Sequence, residues 1–188
     1  MVDWIQNTMD SWEKFGFLTD AVGDRFWGTN IKDPKLRYTH SVFSPIDRGS
    51  FPPVVIHGDK IDDHPYAHIL DSMNGVNLFH GDFVLYGLHL SSEPVTKIFM
   101  PFSLVDHNID YRSLCIRHEA LLVGGYNIEN KEFHILQRKC GSVVKVEKST
   151  LKAEIINPTL EQFLEERLLR VASSEKWVRI YKELSAAG

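Results

Sequence analysis

Cysteine is scarce in this chain, with only Cys115 and Cys140 among 188 residues. Two distant thiols make no disulfide framework, so stability has to come from a core, and the expected compartment is reducing. No apolar run approaches the roughly 18 residues of a membrane helix. The opening Met1-Val-Asp-Trp-Ile-Gln has neither the basic nor the apolar stretch of a secretory leader. Both features lead to the expectation of a cytoplasmic protein without a membrane partner. A basic run is also missing: 21 Lys and Arg stand against 25 Asp and Glu, a net charge of −4. Phosphate binding along a nucleic acid needs clustered cations, so no nucleic-acid partner is expected, and a basic protein suits the charge better.

Familiar catalytic patterns are missing too. The sequence has no Gly-x-Ser-x-Gly elbow, no Walker-type phosphate loop and no zincin His-Glu-x-x-His. Gly124-Gly125 lacks the third glycine of a dinucleotide fingerprint and reads as a strand that bends or approaches another backbone closely. His64 and His68, with Asp62 and Asp63, have the i, i+4 spacing of a helical metal pair. They read more simply as a solvated helix start with acidic caps, because no third ligand is fixed by spacing. Cys140 sits in a turn beside Lys139, where charge could lower its pKa, and reads as an ordinary turn thiol. The chain is therefore read as a non-enzyme with no cofactor and no metal.

What the sequence does hold is an ordinary globular composition, 43% hydrophobic and 24% charged, with eleven Phe, six Tyr and four Trp. That length and content suit one domain with a sizeable core. Trp4, Ile5, Met9, Trp12 and Phe15 recur at helical steps and predict a helix over 3–15, stopped at Gly16. Five prolines between 30 and 65 predict loops with short strands, Val54 to Ile56 among them, ended at Gly58-Asp59. A short helix is expected over 66–73, capped by Asp62 or Asp63 and closed by Asn74-Gly75. A hairpin turning at His80-Gly81-Asp82 follows, then strands over 120–123, 132–137 and 142–147. Asn157-Pro158 is expected to open a helix with Leu160, Leu164, Leu168 and Val171 on its apolar stripe. Ser173-Ser174 breaks it, and Trp177, Ile180, Tyr181 and Leu184 predict a last helix. The expected class is α+β: a central antiparallel sheet flanked by N-terminal, middle and C-terminal helices. Two His-Gly-Asp triplets, 57–59 and 80–82, both fall in turns, and their repetition reads as chance.

Four stretches carry a resemblance. They are Tyr66-x-x-Ile69-Leu70-x-x-x-Asn74-Gly75; Leu78-Phe79-x-Gly81-x-Phe83-x-Leu85-Tyr86-Gly87-Leu88; Leu121-Leu122-Val123-Gly124-Gly125-Tyr126; and Leu160 to Glu166. In order and spacing they resemble the SMI1/KNR4-like, or SUKH, superfamily over residues 60–172, within one domain of 1–188 that has 174–188 as a helical extension. The resemblance implies an α+β fold with no known catalytic site. It also implies a role like that of bacterial immunity proteins, which neutralise nuclease or deaminase toxins, or like that of scaffold regulators. The expected function is binding and occlusion of a cognate, basic toxin domain. Asp59, Asp62, Asp63, His64 and Asp82 would form an acidic rim that steers it. The alternative is an interaction scaffold using an exposed patch of Trp177, Ile180 and Tyr181.

Overall fold

The computed structural model describes residues 3–28, 40–89, 100–156 and 159–187. Helix α1 (Asp3–Met9) continues as a 3-10 turn over Asp10–Phe15. The apolar stripe foreseen over 3–15 is real, and Ile5, Met9 and Trp12 are buried by it. Gly16, at φ 113°, then reverses the chain.

Among the described residues, nine strands form one antiparallel sheet whose spatial order follows the chain, with one excursion of strands outside it. They are β1 (Phe17–Thr19), β2 (Arg25–Trp27), β3 (His40–Val42), β6 (Val76–Leu78), β7 (Phe83–Leu85), β8 (Ala120–Ile128), β9 (Lys131–Arg138), β10 (Val143–Glu147) and β11 (Ala153–Ile156). The excursion, between β3 and β6, holds the separate hairpin β4 (Val55–Ile56) and β5 (Asp59–Lys60), then helix α2 (Ala67–Ser72). The α+β class with its antiparallel sheet is as the sequence predicts.

Strand β8 buries Leu121, Leu122 and Val123 in succession, and β9 does the same from His134 to Gln137. Consecutive burial means that both faces of the sheet centre are covered, unlike a one-sided alternating strand. Helices α3 (Leu104–Asp110), α4 (Arg112–His118) and α5 (Leu160–Ala172) all pack on β8, and α5 also meets α1. At Gly124 a bulge lets β7 come close: a Cβ there would lie 2.3 Å from the Val84 carbonyl oxygen. The close-approach reading of Gly124 therefore holds.

Two buried asparagines fasten loops to strands. Asn74 donates through Nδ2 to the Leu88 carbonyl and accepts from the Leu88 N–H. Asn108 donates to the Leu104 and Leu122 carbonyls, each at 2.8 Å, and accepts from the Leu122 N–H. Each amide satisfies backbone groups that burial would otherwise strand, which is why a polar residue is tolerated at full burial. Tyr66 works similarly, its hydroxyl donating to the Tyr86 carbonyl at 2.7 Å and tying the start of α2 to the sheet.

Some expectations need correction. Asp62 and Asp63 do not cap α2: they lie in a 3-10 turn over Ile61–Asp63, and Tyr66 precedes the helix without a side-chain cap. The Asn157-Pro158 start lies outside the described residues. The cap observed for α5 is Thr159, whose Oγ1 accepts from the Gln162 N–H while Gln162 Oε1 accepts from the Thr159 N–H. This reciprocal box was legible as Thr-x-x-Gln.

Helix α6 (Glu175–Ala187) follows the break at Ser173-Ser174 and belongs to the core. Trp177 is 2% exposed, and its ring lies 5.1 Å from that of Phe79 and 6.1 Å from that of Trp12. Tyr181 sits edge-on to Trp12 and Phe15, at 5.4 and 5.2 Å. The patch on which a scaffold role was to rest is therefore turned inward.

Candidate functional site

The separate hairpin, the turn that follows it, the end of α4 with the start of β8, and Lys139 in the β9–β10 turn enclose an open cavity of about 340 Å³. Its interior is apolar: Ile56, Ile61, Cys115 and Leu121 line it and are each nearly buried. Its lip is polar and exposed, carrying His57, Asp59, Lys60, Glu119 and Lys139, with Ile116 58% exposed among them. Two lip residues, His57 and Glu119, hold left-handed backbone at φ 56° and 50°. For side chains other than glycine that conformation is a cost which surrounding structure has to offset. The geometry suits an apolar anchor entering between charges of both signs.

His64 lines the interior rather than the rim. Its Nδ1 accepts the Tyr66 N–H at 3.1 Å, which places the ring proton on Nε2, 3.2 Å from the Gln137 carbonyl oxygen. Burial lowers its pKa, so the ring is neutral at pH 7. Both nitrogens are engaged and His64 lies outside the helix, while His68 is exposed on α2. The helical metal pair is therefore not formed, and among the described residues no three His, Cys, Asp or Glu side chains gather as a metal group would need.

Asp59 stands exposed on the lip of this opening, whereas Asp62 and Asp63, also exposed, follow the lining residue Ile61 in the chain without lining the cavity, and Asp62 borders a separate small hollow with Arg48. Much of their charge is answered locally. Asp59 pairs with Lys139 at 2.6 Å, Asp62 with Arg48 at 2.9 Å, and Arg48 also bonds Asp71. These pairings join segments far apart in sequence, so the acidic stretch reads as more negative than it is.

Asp82 is placed elsewhere. Its carboxylate accepts from Trp177 Nε1 at 2.7 Å and pairs with Lys176 Nζ at 2.6 Å. It lines a different, wider concavity with Glu129, Glu132 and Arg170. Its first task is to hold α6 against the sheet.

The two thiols differ in their surroundings. Cys115 is buried, donates to Asn108 Oδ1 at 3.3 Å, and has its pKa raised by burial. Cys140 is exposed 3.2 Å from Ser142 Oγ, and that hydrogen bonding lowers its pKa. No helix of the described residues is long and apolar enough to cross a membrane. Compared with protein-family models, with curated proteins and with solved structures, the chain matches none.

Proposed function

We propose that this chain is a non-catalytic binding protein of the immunity type, which neutralises a cognate nuclease or deaminase toxin domain by covering it. The observation that carries this reading is the open apolar cavity with exposed Asp59 on its lip. An apolar side chain of the toxin fills the cavity and supplies affinity. Asp59, Asp62 and Asp63 then govern encounter and selectivity toward a basic surface. Because Lys139 and Arg48 already pair with two of these acids, the cavity outweighs charge in this reading. The SMI1/KNR4-like resemblance of residues 60–172 is consistent with it. The scaffold alternative loses its patch, since Trp177, Ile180 and Tyr181 pack on the core.

The test is native capture from the source cell with three baits: wild type, Ile116→Arg and D62K/D63K. Ile116 is exposed, so Arg blocks the cavity without emptying the core. The expected result is one basic partner at a one-to-one ratio. It is lost with Ile116→Arg, and its association with D62K/D63K is slower and less salt-sensitive. Full capture by Ile116→Arg would refute the cavity as the interface, and several substoichiometric partners would move weight to the scaffold.

A further inference from the structure

The cavity beside the β4–β5 hairpin has the size of a small-molecule site. Its volume of about 340 Å³ is more than twice that of a roughly 150 Å³ apolar cavity that takes up benzene. It also falls within the roughly 300–1,000 Å³ of ligand pockets. Ile56 and Ile61 line it from the hairpin side, Cys115 from α4 and Leu121 from β8. All four belong to the buried core, so the wall is made of packed side chains rather than of mobile surface groups.

The polar groups of this wall are already engaged. His64 accepts the Tyr66 N–H at Nδ1 and donates from Nε2 to the Gln137 carbonyl, and the Cys115 thiol donates to Asn108 Oδ1. A ligand carrying a charge inward would find no partner there, and an unpaired buried charge is costly. At the lip, the ammonium groups of Lys60 and Lys139 stand with the carboxylates of Asp59 and Glu119, so the formal charges cancel. Lys139 and Asp59 already pair at 2.6 Å. His57 adds no charge at pH 7.5, because burial and then Arg112 lower its pKa against the pull of Asp59. Neither sign of charge is favoured at the entrance, and exposed Ile116 carries the apolar surface out to it.

We propose that this cavity binds a small uncharged apolar molecule of bicyclic aromatic bulk, and that this ligand excludes the protein partner. The second half rests on the reading that the cavity receives the partner's anchor. Two occupants of one space compete by mass action, so the ligand level sets how much partner is held.

The probe is indole, bicyclic and uncharged, titrated into the full chain at pH 7.5. Methyl NMR signals of Ile56, Ile61 and Leu121 are expected to shift and saturate, with a Kd below about 1 mM. Indole-3-acetate and tryptamine carry the two signs of charge on the same rings and are expected to bind more weakly. Ile116→Arg, at an exposed position, is expected to weaken indole binding about tenfold. A response linear to about 5 mM, shifts confined to other methyls, binding unchanged in Ile116→Arg, or equal or tighter binding of either charged analogue overturns the proposal. Native capture in saturating indole then tests the exclusion. Loss of the partner supports it, and undiminished capture alongside saturable indole binding overturns it. Capture that depends on Ile116 while indole does not bind refutes the ligand and leaves the interface reading standing. Saturable indole binding with capture indifferent to Ile116→Arg does the reverse.

Discussion

The triplet His-Gly-Asp occurs twice, and its two copies make the same turn for different ends. At 57–58 the backbone is left-handed, with φ 56° and 91°, and at 80–81 it is left-handed again, with φ 53° and 88°. In the first copy these two residues form the whole loop, since Ile56 pairs with Asp59. In the second the left-handed run begins one residue earlier, at Phe79, and links β6 to β7. The aspartates then diverge. Asp59 stays exposed at the lip of the apolar cavity and meets Lys139, whereas Asp82 is shielded by Asn127, Lys176 and Trp177. A tripeptide sets a local turn, and what the chain brings from 80 or 95 residues away sets its role.

The sharpest way to break this comparison is to remove both carboxylates. Asp82→Ala is expected to lower stability by about 2–3 kcal/mol, because the Trp177 N–H and the Lys176 charge lose their acceptor. Asp59→Ala is expected to stay within about 0.5 kcal/mol, as an exposed ion pair should. Urea denaturation midpoints at equal m-values read both, and equal losses would end the distinction.

Next in size is a pH effect seated under the second turn. His40 is fully buried, accepts the Phe79 N–H through Nδ1, and has ring neighbours Trp12 at 4.3 Å and Phe79 at 4.6 Å. Burial, helped by His80, holds its pKa at about 3. An unfolded histidine titrates near 6.5, so between about 6.5 and 3 the unfolded chain binds more protons. Stability from His40 is thus complete above 6.5 and lost as pH falls. At pH 5 the loss is about 2 kcal/mol. His40→Asn, whose Oδ1 can take the Phe79 N–H, should remove that share of the slope between pH 7.5 and 5. His57→Asn, at the exposed turn, should leave the slope nearly unchanged.

The smallest effect tests what the turns share. Gly58 and Gly81 both sit at left-handed φ, and an added Cβ at either meets nothing closer than 3.8 Å. Ala at either should cost about 1 kcal/mol from backbone strain alone. A clear difference in thermal midpoints would show that the turns are not equivalent even locally.

Legibility follows the same division. Residues 120–147 and 160–171 could be read because their strands and helix are long enough to show a period, and the break at Ser173-Ser174 was visible in the letters. Strands β1 to β3 could not, being three residues each, with β1 exposed throughout at the sheet edge. Strand β11 is likewise exposed along most of its length and has no alternation to betray it. Helices α3 and α4 went unread because each is seven residues long and buries only two. A signal did exist at Ser103, whose Oγ accepts the Asp106 N–H in a Ser-x-x-Asp pattern. Of the expected rim, Asp59 lies on the lip of the apolar cavity and His64 inside it, while Asp62 borders a separate hollow and Asp82 lies apart. The apolar interior escaped notice because Ile56, Ile61, Cys115 and Leu121 come from separate elements and show no joint spacing.

Because the sheet is laid down in chain order, a nascent polypeptide can add each of its strands to a sheet strand already made. The hairpins of β8 to β11 close short loops, which favours their early and rapid assembly, whereas β3–β6 and β7–β8 pair only across long intervening segments. Trp12 and Phe79 cannot share in that progress. Their cover is Trp177, synthesised long after them, and Tyr181 reaches back to the Ser11 carbonyl. Until α6 emerges, an otherwise formed sheet carries a bare aromatic cluster, the kind of surface that chaperones hold and that aggregates when they do not.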